Sequence, residues 1–360
     1  MSKLFSKDDF RDNCGFGLIA DINGIKSHKI INKSINALRS MTHRGAIGAD
    51  GKTGDGCGLL LNLDKDFFKN AISEEQGVEI SNEFAIGQLF TNKKIESDLS
   101  KIEKILKSEN LILKAVRPVP VNKDILGTIA SSCLPNIYQL YIQSTDKVFY
   151  EEKFETNLYQ ARKLIEEIYL DDEQLYFCSL SSKTIIYKGL MLPDAIQDFY
   201  LDLKSSKFES SICVFHQRFS TNTHPRWHLA QPFRLLAHNG EINAIRGNRN
   251  WVKARSSKFK SPRLPKIQEF KQLVNETGSD SSALDNMIEI LLHGAPKRKR
   301  EEQNPKNKNP VQKTRKTFSL VARPGFVIII IIIIITSWWG QVFRAKPLEL
   351  FETGPAVIIT

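Results

Sequence analysis

The alternation of hydrophobic and polar positions between residues 14 and 294 predicts a mixture of strands and helices. Short apolar runs predict strands, and apolar residues spaced three or four apart predict helices. The predicted strands are Cys14–Asp21, Leu59–Leu63, Phe84–Phe90, Leu111–Val116, Ile137–Ile142, Ser211–His216 and Phe233–Ala237, with a hairpin over Leu175–Tyr187 that turns at Ser181–Lys183. The predicted helices are Lys29–Met41, Ile95–Ser108, Glu155–Tyr169 and Ser281–His293.

Two of these helices have an apolar face that can be read from their spacing. Ile31, Ile35 and Leu38 share one face of the first helix, and the last helix has Leu284, Ile288 and Leu291 in register. Several predicted strands are joined by short turns rather than by helices. This arrangement favours an α+β domain with antiparallel sheet over a doubly wound fold.

The termini of the chain do not follow this pattern. Residues 1–13 (MSKLFSKDDFRDN) are polar and lack the apolar core of a signal peptide. No targeting or membrane-spanning segment precedes a run of eight isoleucines at 328–335.

Five cysteines without paired spacing exclude a disulfide scaffold and fit a reducing compartment. We therefore expect a cytoplasmic protein.

Charge separates a near-neutral body from a basic tail. The net charge is +11, but residues 297–360 hold 12 Lys/Arg and only 4 Asp/Glu. Residues 296–317 have no apolar face, and the isoleucine run is too short for a membrane-spanning helix. We expect 295–360 to be a disordered basic low-complexity and poly-isoleucine tail, or the product of a slipped reading frame.

A glycine-rich stretch at 43–58 (HRGAIGADGKTGDGCG) contains Gly51-Lys52-Thr53, which looks like the end of a phosphate-binding loop. That motif requires a first glycine where this chain has Ala46, and it should follow a strand and open a helix. A helix is predicted before it instead, so we exclude nucleotide binding here. The density of glycine still predicts a loop that approaches other backbone closely.

Four separated positions carry candidate chemistry. Cys14 is a possible nucleophile, although a lone cysteine is more often a small buried apolar residue. Arg218, in HQRFST, has a guanidinium suited to a carboxylate. Asn239-Gly240, in HNGEI, supplies an amide and an accessible N–H for an oxyanion hole, or simply a hairpin turn. Asp280, in GSDS, could cap the following helix or bind a ligand ammonium.

Together, in this order, the four motifs resemble the glutaminase domain of the glutamate synthase large subunit, a class II glutamine amidotransferase of the N-terminal-nucleophile hydrolase superfamily. The surrounding sequence agrees, including FRDNCGFG, MTHRGA, TGDGCG and THPRWHLAQPFRLLAHNGEINAIRGNRNW. The resemblance covers about residues 9–294. It implies a four-layer αββα sandwich with two stacked antiparallel sheets. The expected organisation is a leader at 1–13, a glutaminase domain at 14–294 that is expected to be truncated, and the tail at 295–360.

The resemblance also implies the mechanism. Removal of the leader would leave Cys14 with a free α-amine, which can act as the general base for its thiol. The thiolate would attack glutamine, and Asn239 and Gly240 would stabilise the oxyanion. Arg218 would bind the α-carboxylate of the substrate, and Asp280 its α-ammonium. Glutamate and ammonia would be released through a thioester, which is the ammonia-supplying half-reaction of glutamate synthase.

The resemblance further implies which groups this chain lacks. FMN and an iron–sulfur cluster belong to downstream synthase domains of the family, as does docking of a small NAD(P)H-oxidising subunit. We expect no cofactor or metal, no nucleic acid and no membrane partner for this chain, and no complete synthase reaction from it alone. The remaining cysteines (Cys57, Cys133, Cys178 and Cys213) and the clustered histidines (His43, His216, His224, His228 and His238) show no metal-ligand spacing.

Two other functions remain open from the sequence. The chain could be a non-catalytic remnant of a disrupted glutamate synthase gene, because the domain would lack part of its core. It could also be a module whose basic tail binds nucleic acid or anionic lipid, although charge alone is a weak signal for such binding.

Overall fold

The computed structural model describes residues 15–169, 175–218, 224–240 and 242–294. The predicted leader at 1–13, the candidate nucleophile Cys14 and the predicted tail at 295–360 lie outside these ranges. Eight strands and eight α-helices form in the described part of the chain. The strands are β1 (Phe16–Ala20), β2 (Cys57–Asn62), β3 (Phe84–Thr91), β4 (Leu111–Pro118), β5 (Asn136–Ser144), β6 (Leu175–Ser181), β7 (Thr184–Gly189) and β8 (Ile212–Gln217).

The strands form two antiparallel sheets of four. One sheet has the order β1-β8-β2-β7, and the other has the order β4-β5-β3-β6. In the first sheet Phe16 lies opposite His216, and Cys57 lies opposite Gln217. The C-terminal end of β8 therefore lies between the beginnings of β1 and β2. This corner of the sheet carries the candidate site.

The helices are α1 (His28–Ser40), α2 (Lys65–Gln76), α3 (Leu99–Ser108), α4 (Thr128–Ser132), α5 (Glu151–Ile168), α6 (Ile196–Phe199), α7 (Ile245–Arg255) and α8 (Asp280–Gly294). The spacing of Ile31, Ile35 and Leu38 is confirmed as the buried face of α1. Helix α2 was not predicted, although it buries Phe68 and Ile72 four positions apart and ends at a left-handed glycine, Gly77.

Alternation along β3 separates two layers of the core. Phe84, Ile86 and Phe90 belong to a cluster shared with the first sheet and α1, whereas Ala85 and Leu89 pack with α3 and α5. Because successive strand residues point to opposite faces, the second sheet has apolar packing on both sides. The predicted α+β class, with two stacked antiparallel sheets between helical layers, is confirmed.

The predicted hairpin over Leu175–Tyr187 is wrong. Strand β6 pairs with β3 in one sheet, and β7 pairs with β2 in the other, so the chain changes sheets at the predicted turn. The buried carboxylate of Glu155 in α5 accepts hydrogen bonds from the hydroxyls of Ser181 and Ser182 and from the Ser182 N–H. These bonds fix the crossing point, which local alternation of the sequence does not reveal.

Two further expectations near the C-terminal end are corrected. Residues 233–237 are not a strand: the Phe233 N–H donates to Leu236 O at 2.8 Å, and the Leu235 N–H donates to the Asp285 carboxylate. Their backbone groups therefore bond locally and to a helix instead of to a sheet. In α8, Leu284 and Ile288 are buried as predicted, but Leu291 is 59% exposed and Ile290 is buried in its place.

No helix in the described ranges is both long and apolar enough to cross a bilayer. The isoleucine run at 328–335 lies outside those ranges.

Candidate active site

Gly15 connects three of the sequence motifs. Its N–H donates to Asn239 Oδ1 at 3.0 Å, and its carbonyl accepts the Gln217 N–H at 2.6 Å. A Cβ at position 15 would lie 2.9 Å from Gln217 O, so this approach requires a glycine. The residue directly after Cys14 is thus bonded both to the predicted oxyanion residue and to the strand end that carries Arg218.

The Asn239 loop is held through the peptide of its neighbour, His238. The buried Gln231 amide forms two bonds with this peptide: Nε2 donates to His238 O at 2.7 Å, and Oε1 accepts the His238 N–H at 2.9 Å. Asn239 uses its own Oδ1 on Gly15, so its Nδ2 is the group left to donate to a ligand. The predicted donor side of Asn239 is therefore oriented by two independent contacts.

His216 bridges the two candidate loops from the end of β8. One ring nitrogen lies 2.9 Å from Arg218 O and the other lies 3.1 Å from His238 O. Burial lowers the pKa of His216 to about 4, although both carbonyl oxygens favour the protonated ring. At neutral pH the ring is uncharged and has a single N–H for these two carbonyls.

Gly240 has a left-handed backbone, with φ of +77°, which a glycine adopts without strain. Its N–H, predicted to stabilise an oxyanion, donates to His238 Nδ1 at 3.0 Å in this structure. His238 Nδ1 also lies 2.9 Å from the Ser281 hydroxyl. The Gly240 N–H must therefore exchange this partner before it can serve a ligand.

Arg218 lies immediately after β8 with a positive φ of 99°, which is unusual for a residue with a side chain. Its N–H donates to Gly56 O at 2.7 Å, and its side chain is 45% exposed. The Nε atom lies 3.5 Å from Asp55 Oδ2. A guanidinium that is half exposed and has further donors can still bind a carboxylate ligand.

Asp280 is the first residue of α8 and is buried. Its Oδ2 accepts the Ile242 N–H at 2.8 Å, and its Oδ1 accepts the Ser281 N–H at 2.6 Å. The helix cap is supplied by Ser279 instead, whose hydroxyl accepts the Ser282 N–H. Asp280 thus ties the chain after Asn239-Gly240 to α8, and its negative charge lies at the positive end of that helix.

Buried ion pairs support the segment that leads into Asn239. Arg234 Nη2 donates to Glu166 Oε1 and to Phe177 O, each at 2.8 Å. Arg162 of α5 bonds Glu166 and also Glu289 of α8. Burial, with Glu289 as a negative neighbour, raises the pKa of Asp285, whose carboxylate holds the Leu235 N–H. The network connects α5, α8 and residues 233–235.

The glycine-rich stretch approaches Arg218 as the density of glycine predicted. It is followed by the strand β2 and not by a helix, which agrees with excluding a phosphate-binding loop. A Cβ at Gly54 would lie 2.4 Å from Met191 O, and Gly56 has φ of +127°. Asp50 anchors the loop by accepting the Thr53 hydroxyl at 2.6 Å and the Ile129 and Thr53 N–H groups at 2.9 and 2.8 Å, and these bonds, the hydroxyl first, lower its pKa.

The other cysteines show no sign of activation. Cys57, Cys178 and Cys213 are buried, and burial raises the pKa of each thiol. Cys133 is exposed at the end of α4. In the described part of the chain, no three His, Cys, Asp or Glu side chains form a group that could hold a metal ion.

Asp55, Gln217 and Gln231 are neighbours of the site that sequence reasoning missed. All three lie inside the quoted motifs or their flanking sequence, but nothing in their spacing distinguishes them. Their role at the site follows only from their contacts with residues in other elements of the fold.

A family model described as class II glutamine amidotransferases matches residues 14–302. It covers most of the chain, and the chain belongs to this family. The match begins at Cys14 and includes Arg218, Asn239, Gly240 and Asp280.

The chain is also similar to curated glutamate synthases. It is 38% identical over 299 residues to the glutamate synthase (NADPH) large chain of Azospirillum brasilense, covering 81% of this chain and 20% of the relative. It is 40% identical over 296 residues to the ferredoxin-dependent glutamate synthase 1 of Arabidopsis thaliana, covering 78% and 18%. For the glutamate synthase (NADH) of Saccharomyces cerevisiae the identity is 39% over 303 residues, covering 80% and 14%. The chain therefore spans about a fifth or less of the length of these relatives.

Proposed function

We propose that the chain hydrolyses L-glutamine to glutamate and ammonia through a thioester on Cys14. The observation that carries this proposal is the position of Gly15. It joins the residue after Cys14 to Asn239 by a hydrogen bond of 3.0 Å and to the backbone of Gln217, next to Arg218, by one of 2.6 Å. The residue that follows the proposed nucleophile, the proposed oxyanion donor and the arginine that would bind the α-carboxylate are then neighbours in one corner of the first sheet.

The proposed reaction has two steps. The Cys14 thiolate attacks the side-chain amide carbon of glutamine, and Asn239 Nδ2 stabilises the oxyanion, with the Gly240 N–H joining once it leaves His238. The proton taken by the Cys14 α-amine passes to the leaving ammonia. Water then attacks the thioester, releases glutamate and restores the thiol.

Substrate recognition uses the two charged residues. Arg218 binds the α-carboxylate of glutamine, because its guanidinium is half exposed and carries several N–H donors. Asp280 binds the α-ammonium through its carboxylate, whose negative charge lies at the start of α8. Together they would let the site discriminate glutamine from a simple amide, which lacks the α-carboxylate and the α-ammonium.

Processing is part of the proposal. While residues 1–13 are attached, the nitrogen of Cys14 is an amide and cannot act as a base. Removal of this leader is then the activating step, and residues 14–294 form the glutaminase domain. Because the relatives are named glutamate synthases, we propose that the ammonia supplies a glutamate synthase reaction. By the family resemblance, the FMN, iron–sulfur cluster and electron-donor partner of that reaction would belong to other domains or subunits.

The test is mass spectrometry of the purified full chain, with and without an electrophilic glutamine analogue. We expect a new N-terminus at Cys14 and stoichiometric labelling of that residue. Cys14→Ser should abolish labelling. Cys133→Ser, which removes an exposed thiol, is the matched control and should not change it. A soluble protein with an intact Met1 and no labelling would contradict the proposal.

A further inference from the structure

Asp55 is a buried carboxylate that the proposed mechanism does not use. It lies near the end of the glycine-rich stretch, two residues before β2, and its side chain is 4% exposed. Within the described residues, neither of its carboxylate oxygens has a hydrogen-bond partner of good geometry. Burial raises its pKa, against the opposing effects of the Ala46 N–H and of Arg218. An acidic group in such surroundings requires a specific reason to be there.

The nearest charge to Asp55 is the side chain of Arg218. Asp55 Oδ2 lies 3.5 Å from Arg218 Nε. The next residue, Gly56, accepts the Arg218 N–H at 2.7 Å, so the same turn holds both the backbone and the side chain of the arginine. The carbonyl of Arg218 is bonded on its other side by His216. Arg218 is therefore fixed at its N–H and at its C=O, and Asp55 acts on its guanidinium.

The space around Asp55 is closed by Gln217 and Gly45. A Cβ at Gly45 would lie 2.2 Å from Gln217 Nε2 and 2.8 Å from Asp55 Oδ1. Gln217 is fully buried, and among the described residues its amide atoms also have no hydrogen-bond partner. The glycine at position 45 leaves room for the two polar side chains beside Arg218.

The edge of the guanidinium that Asp55 contacts matters for ligand binding. A guanidinium has five N–H donors, and a carboxylate at Nε leaves the terminal pair of nitrogens available to another carboxylate. A buried anion also neutralises the arginine without blocking that pair. Without this contact, a side chain that is 45% exposed would be free to adopt other rotamers.

We propose that Asp55 is the positioning residue of Arg218: its buried carboxylate holds the Nε edge of the guanidinium so that the opposite edge faces the α-carboxylate of the substrate. The inference rests on the proposed role of Arg218 in glutamine binding. It gives the glycine-rich stretch a function in substrate recognition. Asp55 touches the arginine and not the reacting atoms, so it acts on binding more than on chemistry.

The experiment measures kcat and KM for L-glutamine and for L-glutaminamide, which lacks the negative carboxylate, in the full chain. Asp55→Asn should raise the KM for glutamine about tenfold while kcat stays within about twofold. It should also reduce the preference for glutamine over glutaminamide. Asn has the shape of Asp and leaves no charge buried at position 55, so the variant should fold. Asp55→Glu, which keeps the charge, should recover part of the lost affinity.

Asp64→Asn is the matched control. Asp64 follows β2 as Asp55 precedes it, and it is equally buried. It pairs with Lys26 Nζ at 3.7 Å, at the opposite end of β2 from Asp55. It should leave the KM for glutamine unchanged. If Asp64→Asn raises KM as much as Asp55→Asn does, the effect is general loss of an acidic group and the inference is wrong.

The inference and the proposed function fail in different ways. If Arg218→Gln leaves KM unchanged, the role of Arg218 in the proposed function is wrong, and the inference falls with it. If Arg218→Gln raises KM but Asp55→Asn does not, only the inference is overturned. In the double variant, the KM should equal that of Arg218→Gln alone, because both changes remove one interaction. Additive effects would contradict a positioning role.

Discussion

The two halves of the candidate site differ in how their buried polar groups are satisfied. On the Asn239 side, Gln231 forms two hydrogen bonds with the His238 peptide, and Asn239 itself bonds Gly15. On the Arg218 side, Gln217 and Asp55 are just as buried, yet within the described residues their side-chain oxygen and nitrogen atoms have no hydrogen-bond partner. Among the described residues, the supporting buried side chain is hydrogen-bonded in the first half, and in the second half the two buried side chains have no hydrogen-bond partner.

This difference corresponds to two tasks. A group that stabilises charge developing in a reaction is most effective when it is fixed beforehand, because no reorganisation is then needed. On the other side, the buried Asp55 lies beside an arginine that stays half exposed, so the guanidinium can still bind a substrate carboxylate. The contrast between the two halves can be broken or sharpened by substitution.

The largest effect is expected at Asn239. Asn239→Ala removes the side-chain donor to the oxyanion and should lower kcat about 10²–10³-fold, the usual cost of one such donor. The far-UV circular dichroism should stay close to that of the parent chain, whereas the unfolding midpoint should fall modestly because the Gly15 N–H loses its acceptor. The control is Asn136→Ala. It removes the side-chain amide of a β5 residue, which donates to Lys93 O, and it should keep full activity. Substantial turnover by Asn239→Ala would mean that another donor stabilises the oxyanion.

Gln231→Leu should be the most destabilising change on the Asn239 side. It removes the acceptor of the partly buried His238 N–H and one donor to the His238 carbonyl, which costs about 1–3 kcal/mol. Urea unfolding should therefore show a lower midpoint with an unchanged slope. Activity should fall as well, because Asn239 loses its support. An unchanged midpoint would show that the two bonds are not made in solution.

Acid should lower the stability of the fold through His216. His216 has a folded-state pKa of about 4, below the ordinary value of 6.5, because burial disfavours its charged form. The unfolded chain therefore binds the proton first, so stability present above pH 6.5 is lost as the pH falls towards 4. This histidine should contribute a loss of about 1.4 kcal/mol per pH unit in that range. The measurement is the urea midpoint at several pH values.

The variant His216→Gln should have a shallower dependence of stability on pH between 6.5 and 4. It is also expected to be less stable at pH 7, because glutamine fits the two carbonyls poorly. If its pH dependence matches that of the parent chain, His216 is not buried and neutral in solution.

The smallest effect is expected at Gln217, the counterpart of Gln231. Gln217→Leu removes amide atoms that have no partner among the described residues, so its free energy of unfolding should change by less than about 1 kcal/mol or rise slightly. The same substitution should therefore be destabilising at position 231 and close to neutral at position 217. Equal destabilisation at the two positions would remove the distinction between the halves of the site.

Much of the fold could be predicted because its signals are local. Helix α1 and the apolar β3 show their periodicity directly, and short connections indicated antiparallel sheets. The hairpin prediction failed because Glu155, a residue of a distant helix, decides where the chain changes sheets. The predicted strand at 233–237 failed because Asp285, some fifty residues further on, takes one of its backbone donors.

The candidate site shows the same division. Arg218, Asn239, Gly240 and Asp280 were found because they lie in recognisable motifs in a fixed order. Their supporting contacts could not be found in this way. The partner of the Gly240 N–H, the ring of His238, also became evident only from the structure.

By itself, the sequence determined the class of fold, the family and the residue types at the candidate site, since periodicity and the order of motifs can be read directly along the chain. The tertiary structure alone decided which groups are satisfied. Gln217 and Gln231 are both buried glutamines next to a motif, and nothing in their local sequence separates them. They differ because only Gln231 faces a peptide whose N–H and C=O are both in reach, and such a pairing depends on chain segments that folding brings together.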